Sequence, residues 1–146
     1  MQLIVRTDGG ARGNPGPAGF GAVIEDANGK VLEEHAVFLG RKTNNQAEYA
    51  GAIFALRRAG ELGATEVTLY SDSELMIKQA NGEYKVKHPN VVPLFQDLFR
   101  AERVIGKVKY IHVRREQNKH ADALSNKAMD EGMGIVKPAA VDDVTG

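Results

Sequence analysis

Residues 43–72, TNNQAEYAGAIFALRRAGELGATEVTLYSD, decide the fold, because the hydrophobic period changes inside them. From Asn45 to Leu62 the apolar residues recur at helical spacing. Tyr49, Ile53 and Leu56 share one stripe with Gly60, and Ala47, Ala50 and Phe54 flank it. Gly63 follows as a C-cap. Glu66–Ser71 (EVTLYS) then reads as a strand, rich in branched and aromatic residues. A helix that leads into a strand adds a parallel neighbour to a sheet already begun.

That sheet begins upstream. Gln2–Asp8, Phe20–Ala27 and Val31–Leu39 read as three strands, and Asn28-Gly29 between the last two predicts a tight two-residue hairpin. The stretch GGARGNPGPAG, residues 9–19, is rich in Gly and Pro and reads as a shaped surface loop. Downstream, Ser73–Asn81 predicts a short helix. Pro89 and Pro93 frame the entry to a second, about Val91–Ile105. Lys107–Val113 alternates as a fifth strand, and Asn118 is a good N-cap for a last helix, about Lys119–Glu131. The order is βββαβααβα, an α/β chain with a mixed sheet. The expected organisation is one domain over residues 1–132 and a C-terminal tail over 133–146, either weakly ordered or packed on the domain.

A chain of 146 residues is long enough for one core without covalent staples. It contains no Cys, which excludes a disulfide scaffold, a zinc ribbon and a thiol nucleophile. That composition suits a reducing compartment, so the expected location is cytoplasmic. No apolar run approaches the roughly 18 residues of a membrane span, and MQLIVRTDGG does not read as a signal peptide. No membrane partner is expected, and nothing demands a dimer, so the expected state is a monomer. Without GxxxxGK[ST], GxSxG or Cys, the simplest nucleophile is water.

Four carboxylates occupy unusual places. Asp8 ends the first strand and Asp72 the fourth. Each alone could be a turn or cap residue. Strands one and four are expected side by side, which brings both acids to the edge where open α/β sheets bind ligands. Glu48 has Gly51, Ala52 and Ala55 on its own helix face, a small-residue stripe that lets a helix approach a sheet closely. Asp122 falls in the first turn of the last helix, where it also complements the dipole. Clustered carboxylates without basic partners raise one another's pKa values. A hard divalent cation such as Mg²⁺ relieves that repulsion. Two such ions about 4 Å apart suit in-line phosphodiester displacement by water.

The surrounding residues suit nucleic acid. Arg41, Thr43, Asn44, Asn45 and Gln46 precede Glu48 by less than two turns, which sets amides and a helix N-terminus beside the acids. Thr43 or Asn44 could equally cap the helix. Asn14 sits in the Gly/Pro loop, either as a turn residue or close to a ligand. Arg114-Arg115-Glu116-Gln117-Asn118 joins the last strand to the last helix, either as a solvated charged loop or as a segment that puts an arginine near a phosphate or the leaving group. Tyr84, Lys85, Lys87 and His88 form a small basic-aromatic stretch that could track a strand.

Four motifs in order, DGGARGNPGPAG (8–19), TNNQAEYAGAIFAL (43–56), YSDSELMI (70–77) and HVRREQNKHADALSN (112–126), resemble the type 1 ribonuclease H family over about Gln2–Glu131. The resemblance implies a ribonuclease H-like fold, a five-stranded mixed sheet with its first three strands antiparallel, then parallel, and helices on both faces. It implies hydrolysis of the RNA strand of RNA/DNA hybrids with two Mg²⁺ ions, or Mn²⁺ in their place, leaving 3′-hydroxyl and 5′-phosphate ends. The metal-binding carboxylates would be Asp8, Glu48, Asp72 and Asp122. Arg41, Thr43 and Asn90 would hold a DNA phosphate, and Asn14, Asn44 and Asn45 would contact the minor groove. Three departures stand out. No His lies in the loop before Asp122, and Arg115 matches the arginine of the branch lacking it. Only GEYKVKHPN spans 82–90, so the family's basic protrusion is missing unless Tyr84, Lys85 and Lys87 compensate. Glu74 stands where a glutamine often contacts substrate. A catalytically inactive hybrid-binding module and a related DNA nuclease on the same fold are the alternatives.

Charge sharpens this picture. Lys+Arg and Asp+Glu number 19 each, for a net charge of zero. Residues 135–146 hold Lys137 against Asp142 and Asp143, so the rest of the chain carries one net positive charge. Setting aside the four carboxylates raises that to five. Neutrality thus conceals an acidic centre in a mildly basic surround, for which a shallow salt dependence of hybrid binding is expected.

Overall fold

The computed structural model describes residues 1–135. The chain runs β1 (Gln2–Ala11), β2 (Gly16–Asp26), β3 (Val31–Lys42), α1 (Asn44–Glu61), β4 (Glu66–Ser71), α2 (Glu74–Ala80), α3 (Val92–Ile105), β5 (Lys107–His112) and α4 (Lys119–Gly132), with a 3₁₀ turn at Arg115–Gln117. The strands form one mixed sheet in the order β3-β2-β1-β4-β5. β1 pairs antiparallel with β2, and β2 with β3, while β4 runs parallel to both β1 and β5. The element order and mixed sheet expected from the sequence are present. Most of the tail expected after Gly132 lies outside the described residues.

Two expectations are corrected. Residues 9–19 are mostly strand: the β1/β2 ladder continues through Gly9↔Phe20, Gly10↔Gly19 and Ala11↔Ala18, leaving only residues 12–15 to turn the chain. The glycines there serve close helix approach as well as the turn. The β2–β3 connection has four residues, 27–30, rather than two. The Asp26 carboxylate builds it by accepting from the backbone N–H groups of both Asn28 and Lys30, each at 2.9 Å.

Strand alternation distributes the helices to both faces. A Cβ on Gly51 of α1 would meet Phe20 of β2 at 3.1 Å, whereas one on Gly19 would meet Ala128 of α4 at the same distance. Successive residues of β2 therefore face α1 and α4. The larger layer packs α1 and α3 on the sheet. Tyr49, Ile53, Leu56, Leu98 and Ile105 meet Leu3, Val5, Ile24, Val67 and Leu69 there, all buried. Truncating a fully buried residue such as Leu56 to Ala costs about 2–5 kcal/mol. Tyr49 keeps its hydroxyl satisfied inside this layer by donating to Gln79 Oε1 at 2.6 Å.

Thr43 rather than Asn44 caps α1. Its hydroxyl accepts from Gln46 N–H while the Gln46 side chain accepts from Thr43 N–H, a reciprocal box that fixes where the helix starts. Ser73 caps α2. Asp72 is thereby free of the capping role its position alone could have given it.

Candidate active site

The parallel register pairs Thr7 of β1 with Ser71 of β4, so the next residue of each chain segment, Asp8 and Asp72, leaves the sheet at the same end. Glu48 joins them because Gly9 has no side chain. A Cβ on Gly9 would stand 2.5 Å from the Ala47 carbonyl carbon and 2.7 Å from Glu48 N. Its absence lets α1 settle on the strand end, where Gly9 N–H donates to Glu48 Oε1 at 2.6 Å. The other face repeats the device. Gly21 lies directly across the ladder from Asp8, and a Cβ there would stand 2.6 Å from Leu124 Cβ of α4. α4 therefore lies close to the sheet and carries Asp122 to the same cleft.

Asp8, Glu48 and Asp72 each offer an oxygen within 4.8 Å of the others. None of these three, nor Asp122, forms an ion pair with Lys, Arg or His among the described residues. The electrostatic result is severe. Burial, then the Glu48 and Asp72 charges, push Asp8 up to about 9. Burial and Asp72 push Glu48 up to about 8, against the Gly9 N–H bond that lowers it. Hard oxygen donors, close together, part-buried and without a cation partner, fit a hard divalent metal ion.

Asn118 ties this centre together from below. It precedes α4, but its side chain makes no capping bond. Instead Nδ2 donates to the Thr7 carbonyl at 2.8 Å, one residue before Asp8, while the Asn118 carbonyl accepts from Asp122 N–H at 3.0 Å. Asn118 is 1% exposed, so the link is dry.

The cleft above the acids encloses about 730 Å³ and is lined by residues of β1, α1, α4 and the segments after β4 and β5. Asn44, Asn45 and Arg115 line it. Asn14 is joined to them, because its Oδ1 accepts from Asn44 N–H at 3.0 Å and Asn44 Oδ1 accepts from Ala11 N–H at 2.6 Å. Asn90 lines a separate cavity of about 350 Å³ with Lys42 and Gln46, and Arg41 and Thr43 flank Lys42 in the chain. Glu74, Tyr84, Lys85 and Lys87 are exposed and do not line the main cleft. Glu74 is paired with Lys78 at 3.0 Å, and Lys78 also lies 5.0 Å from the centre of the Tyr84 ring.

Arg12, His112 and Asn126 also line the cleft, beside Arg114, and carry no functional reading in sequence. Asn126 carried one usable signal, its i+4 spacing from Asp122 on a helix. Arg12 carried none, since its partners lie more than 110 residues away in sequence.

Residues 6–128 match a family model described as reverse transcriptase-like. A ribonuclease HI of Synechocystis sp. is 31% identical over 154 residues, covering 90% of this chain and 94% of the relative. This chain belongs to the ribonuclease H family. The bifunctional protein Rv2228c of Mycobacterium tuberculosis is 44% identical over 131 residues, 89% of this chain but 36% of that protein. The chain thus spans about a third of the length of that relative. The solved N-terminal RNase H domain of Rv2228c from Mycobacterium tuberculosis, 44% identical, superposes with a TM-score of 0.87, covering 89% of this chain and 100% of that one. LC11-RNase H1, solved in complex with an RNA/DNA hybrid, is 40% identical with a TM-score of 0.86, over 90% of this chain and 99% of that one. In this ribonuclease H chain no helix among the described residues is long and apolar enough to cross a membrane.

Proposed function

We propose that this chain is an endoribonuclease that hydrolyses the RNA strand of RNA/DNA hybrids, leaving 3′-hydroxyl and 5′-phosphate ends. One observation carries the reading: three unpaired carboxylates converge within 4.8 Å at the floor of a cleft lined by amides and arginines. The hybrid-bound relative at 40% identity supports the choice of substrate.

Asp8, Glu48, Asp72 and Asp122 would hold two Mg²⁺ ions, with Mn²⁺ as a substitute. When bound, such ions supply Lewis acidity at the phosphate and make water a nucleophile near neutral pH. The protein's own residues do the rest. Gly9 N–H fixes the Glu48 carboxylate, and Asn118 fixes β1 against α4, so Glu48 and the backbone segments that carry Asp8 and Asp122 are held before substrate arrives. Asn14 and Asn44 spend their Oδ1 atoms on backbone N–H groups, which leaves Nδ2 of each to donate to the hybrid. With Asn45 they would meet minor-groove edges and 2′-hydroxyls, the group that tells RNA from DNA. Arg115, exposed at the cleft wall, would hold a phosphate beside the cut. Arg41, Thr43 and Asn90 would hold a phosphate of the DNA strand. Glu74, Tyr84, Lys85 and Lys87 would flank the bound hybrid as an outer contact rather than an element of the cleft.

Residues 1–132 would form the catalytic domain and 133–146 a tail. The chain would act as a monomer, and its lack of Cys suits the cytoplasm. Incubation of a labelled hybrid beside matched dsDNA and dsRNA, with Mg²⁺, Mn²⁺ or EDTA, tests the function. Metal-dependent cuts in the RNA of the hybrid alone are expected. Binding without cutting would indicate an inactive module, and cutting of dsDNA would indicate a DNA nuclease.

A further inference from the structure

Arg12 lies four residues beyond Asp8 at the wall of the same cleft, and it reaches across to α4. Its Nη1 donates to Asp130 Oδ1 at 2.7 Å, and its Nη2 donates to Asn126 Oδ1 at 3.4 Å. Asn126 carries the contact onward. Its Nδ2 donates to the Asp122 carbonyl at 3.1 Å and to Asp122 Oδ2 at 3.4 Å. Asp122, Asn126 and Asp130 stand at successive i+4 positions on one face of α4, so one planar guanidinium can serve the second and third at once. The Arg12–Asp130 pair is largely shielded, with side-chain exposures of 32% and 18%, and is better held than an ordinary surface pair.

Asp122 is the acid most in need of such support. Asp8 lies within β1, Asp72 directly follows β4 and Glu48 is held by Gly9 N–H, whereas Asp122 stands outside their 4.8 Å set, rides on a helix, and has its carboxylate in contact only with the like-charged Asp8 and with Asn126 among the described residues. We infer that Arg12 and Asn126 are positioning residues: Arg12 orients the Asn126 amide, and that amide holds one oxygen of Asp122, keeping its carboxylate turned to the cleft. The inference rests on the reading of this cleft as the hydrolytic site.

The test compares wild type with Arg12→Lys, Arg12→Met and Asn126→Ala. NMR three-bond couplings report χ1 of Asp122 in the metal-free protein, and kcat and KM are measured on a labelled RNA/DNA hybrid with Mg²⁺. Wild type should show one Asp122 rotamer, and the variants should show rotamer averaging. Lysine keeps the Asp130 pair but cannot also serve Asn126, so Arg12→Lys separates the relay from simple tethering of the helix. Should Arg12→Met fail to fold, Arg12→Lys and Asn126→Ala, which both retain that pair, decide the outcome. In these two kcat should fall about tenfold or more, with KM within about twofold of wild type. An unchanged single rotamer in Asn126→Ala, or wild-type kcat despite averaging, overturns the inference. A wild type that leaves the hybrid intact overturns the reading of the cleft instead, and the rotamer comparison still decides the relay.

Discussion

Gly9 N–H donates to Oε1 of Glu48 at 2.6 Å, and a Cβ on Gly9 would stand 2.7 Å from the backbone nitrogen of that same glutamate. One residue thus supplies both the donor that orients an acid of the candidate site and the empty space that lets its helix arrive. Gly9→Ala must displace α1, because the obstructing atoms are backbone. It should cost about 1–3 kcal/mol of stability by overpacking, measured by urea unfolding. Hybrid cleavage should fall by about a hundredfold, since a displacement near 1 Å at the reacting groups has that effect. Activity within about twofold of wild type would show that α1 need not sit so close.

The acids leave a signature in the metal-free protein. Asp8 is raised from 3.8 to about 9 and Glu48 from 4.5 to about 8, both first by burial. Between those limits the folded protein binds protons that the unfolded chain releases, so their contribution to stability falls as pH rises. It is fully present below about 4 and is lost as pH passes through 8 to 9. Asp8→Asn should therefore gain Tm over wild type in EDTA at pH 9 and gain far less at pH 5. Mg²⁺ should restore wild-type Tm at pH 9, because an ion that binds only the folded state stabilises it. A pH-independent difference between the two proteins would contradict the proposed cluster.

Asn118→Ala removes the donor to the Thr7 carbonyl in a dry setting. Leaving that carbonyl unpaired should cost about 1–3 kcal/mol, read by urea unfolding. The link also sets Asp8 against Asp122, so kcat should fall as well, while KM stays near wild type. A loss confined to stability would make Asn118 purely structural.

Arg115 is exposed at the cleft wall and has no acidic partner among the described residues. Arg115→Ala should slow turnover on the hybrid by about tenfold while changing hybrid affinity by less than about twofold. Unchanged turnover would remove it from the mechanism.

Much of this was legible in sequence for identifiable reasons. Glu66–Ser71 was bounded correctly because branched and aromatic residues alternate between clear breakers. The convergence of Asp8 and Asp72 followed from placing those two strands side by side. Residues 9–19 read as a loop in sequence because glycine signals a turn and a close approach equally, and only the position of α1 and α4 separates the two. Asn118 reads as a cap in sequence, yet its side chain is spent on Thr7, a residue 111 positions away. Arg12 and His112 are ordinary loop and strand residues until the fold brings them to the cleft.

The most direct measurement is single-turnover cleavage of a labelled RNA/DNA hybrid by wild type and Asp8→Asn in Mg²⁺, with hybrid binding followed by fluorescence anisotropy in EDTA. Wild type should cut the RNA strand. Asp8→Asn should remain folded and bind the hybrid in EDTA within a few-fold of wild type, while its cleavage falls to the background rate. Cleavage by Asp8→Asn at the wild-type rate would contradict the assignment of this carboxylate cluster as the hydrolytic centre.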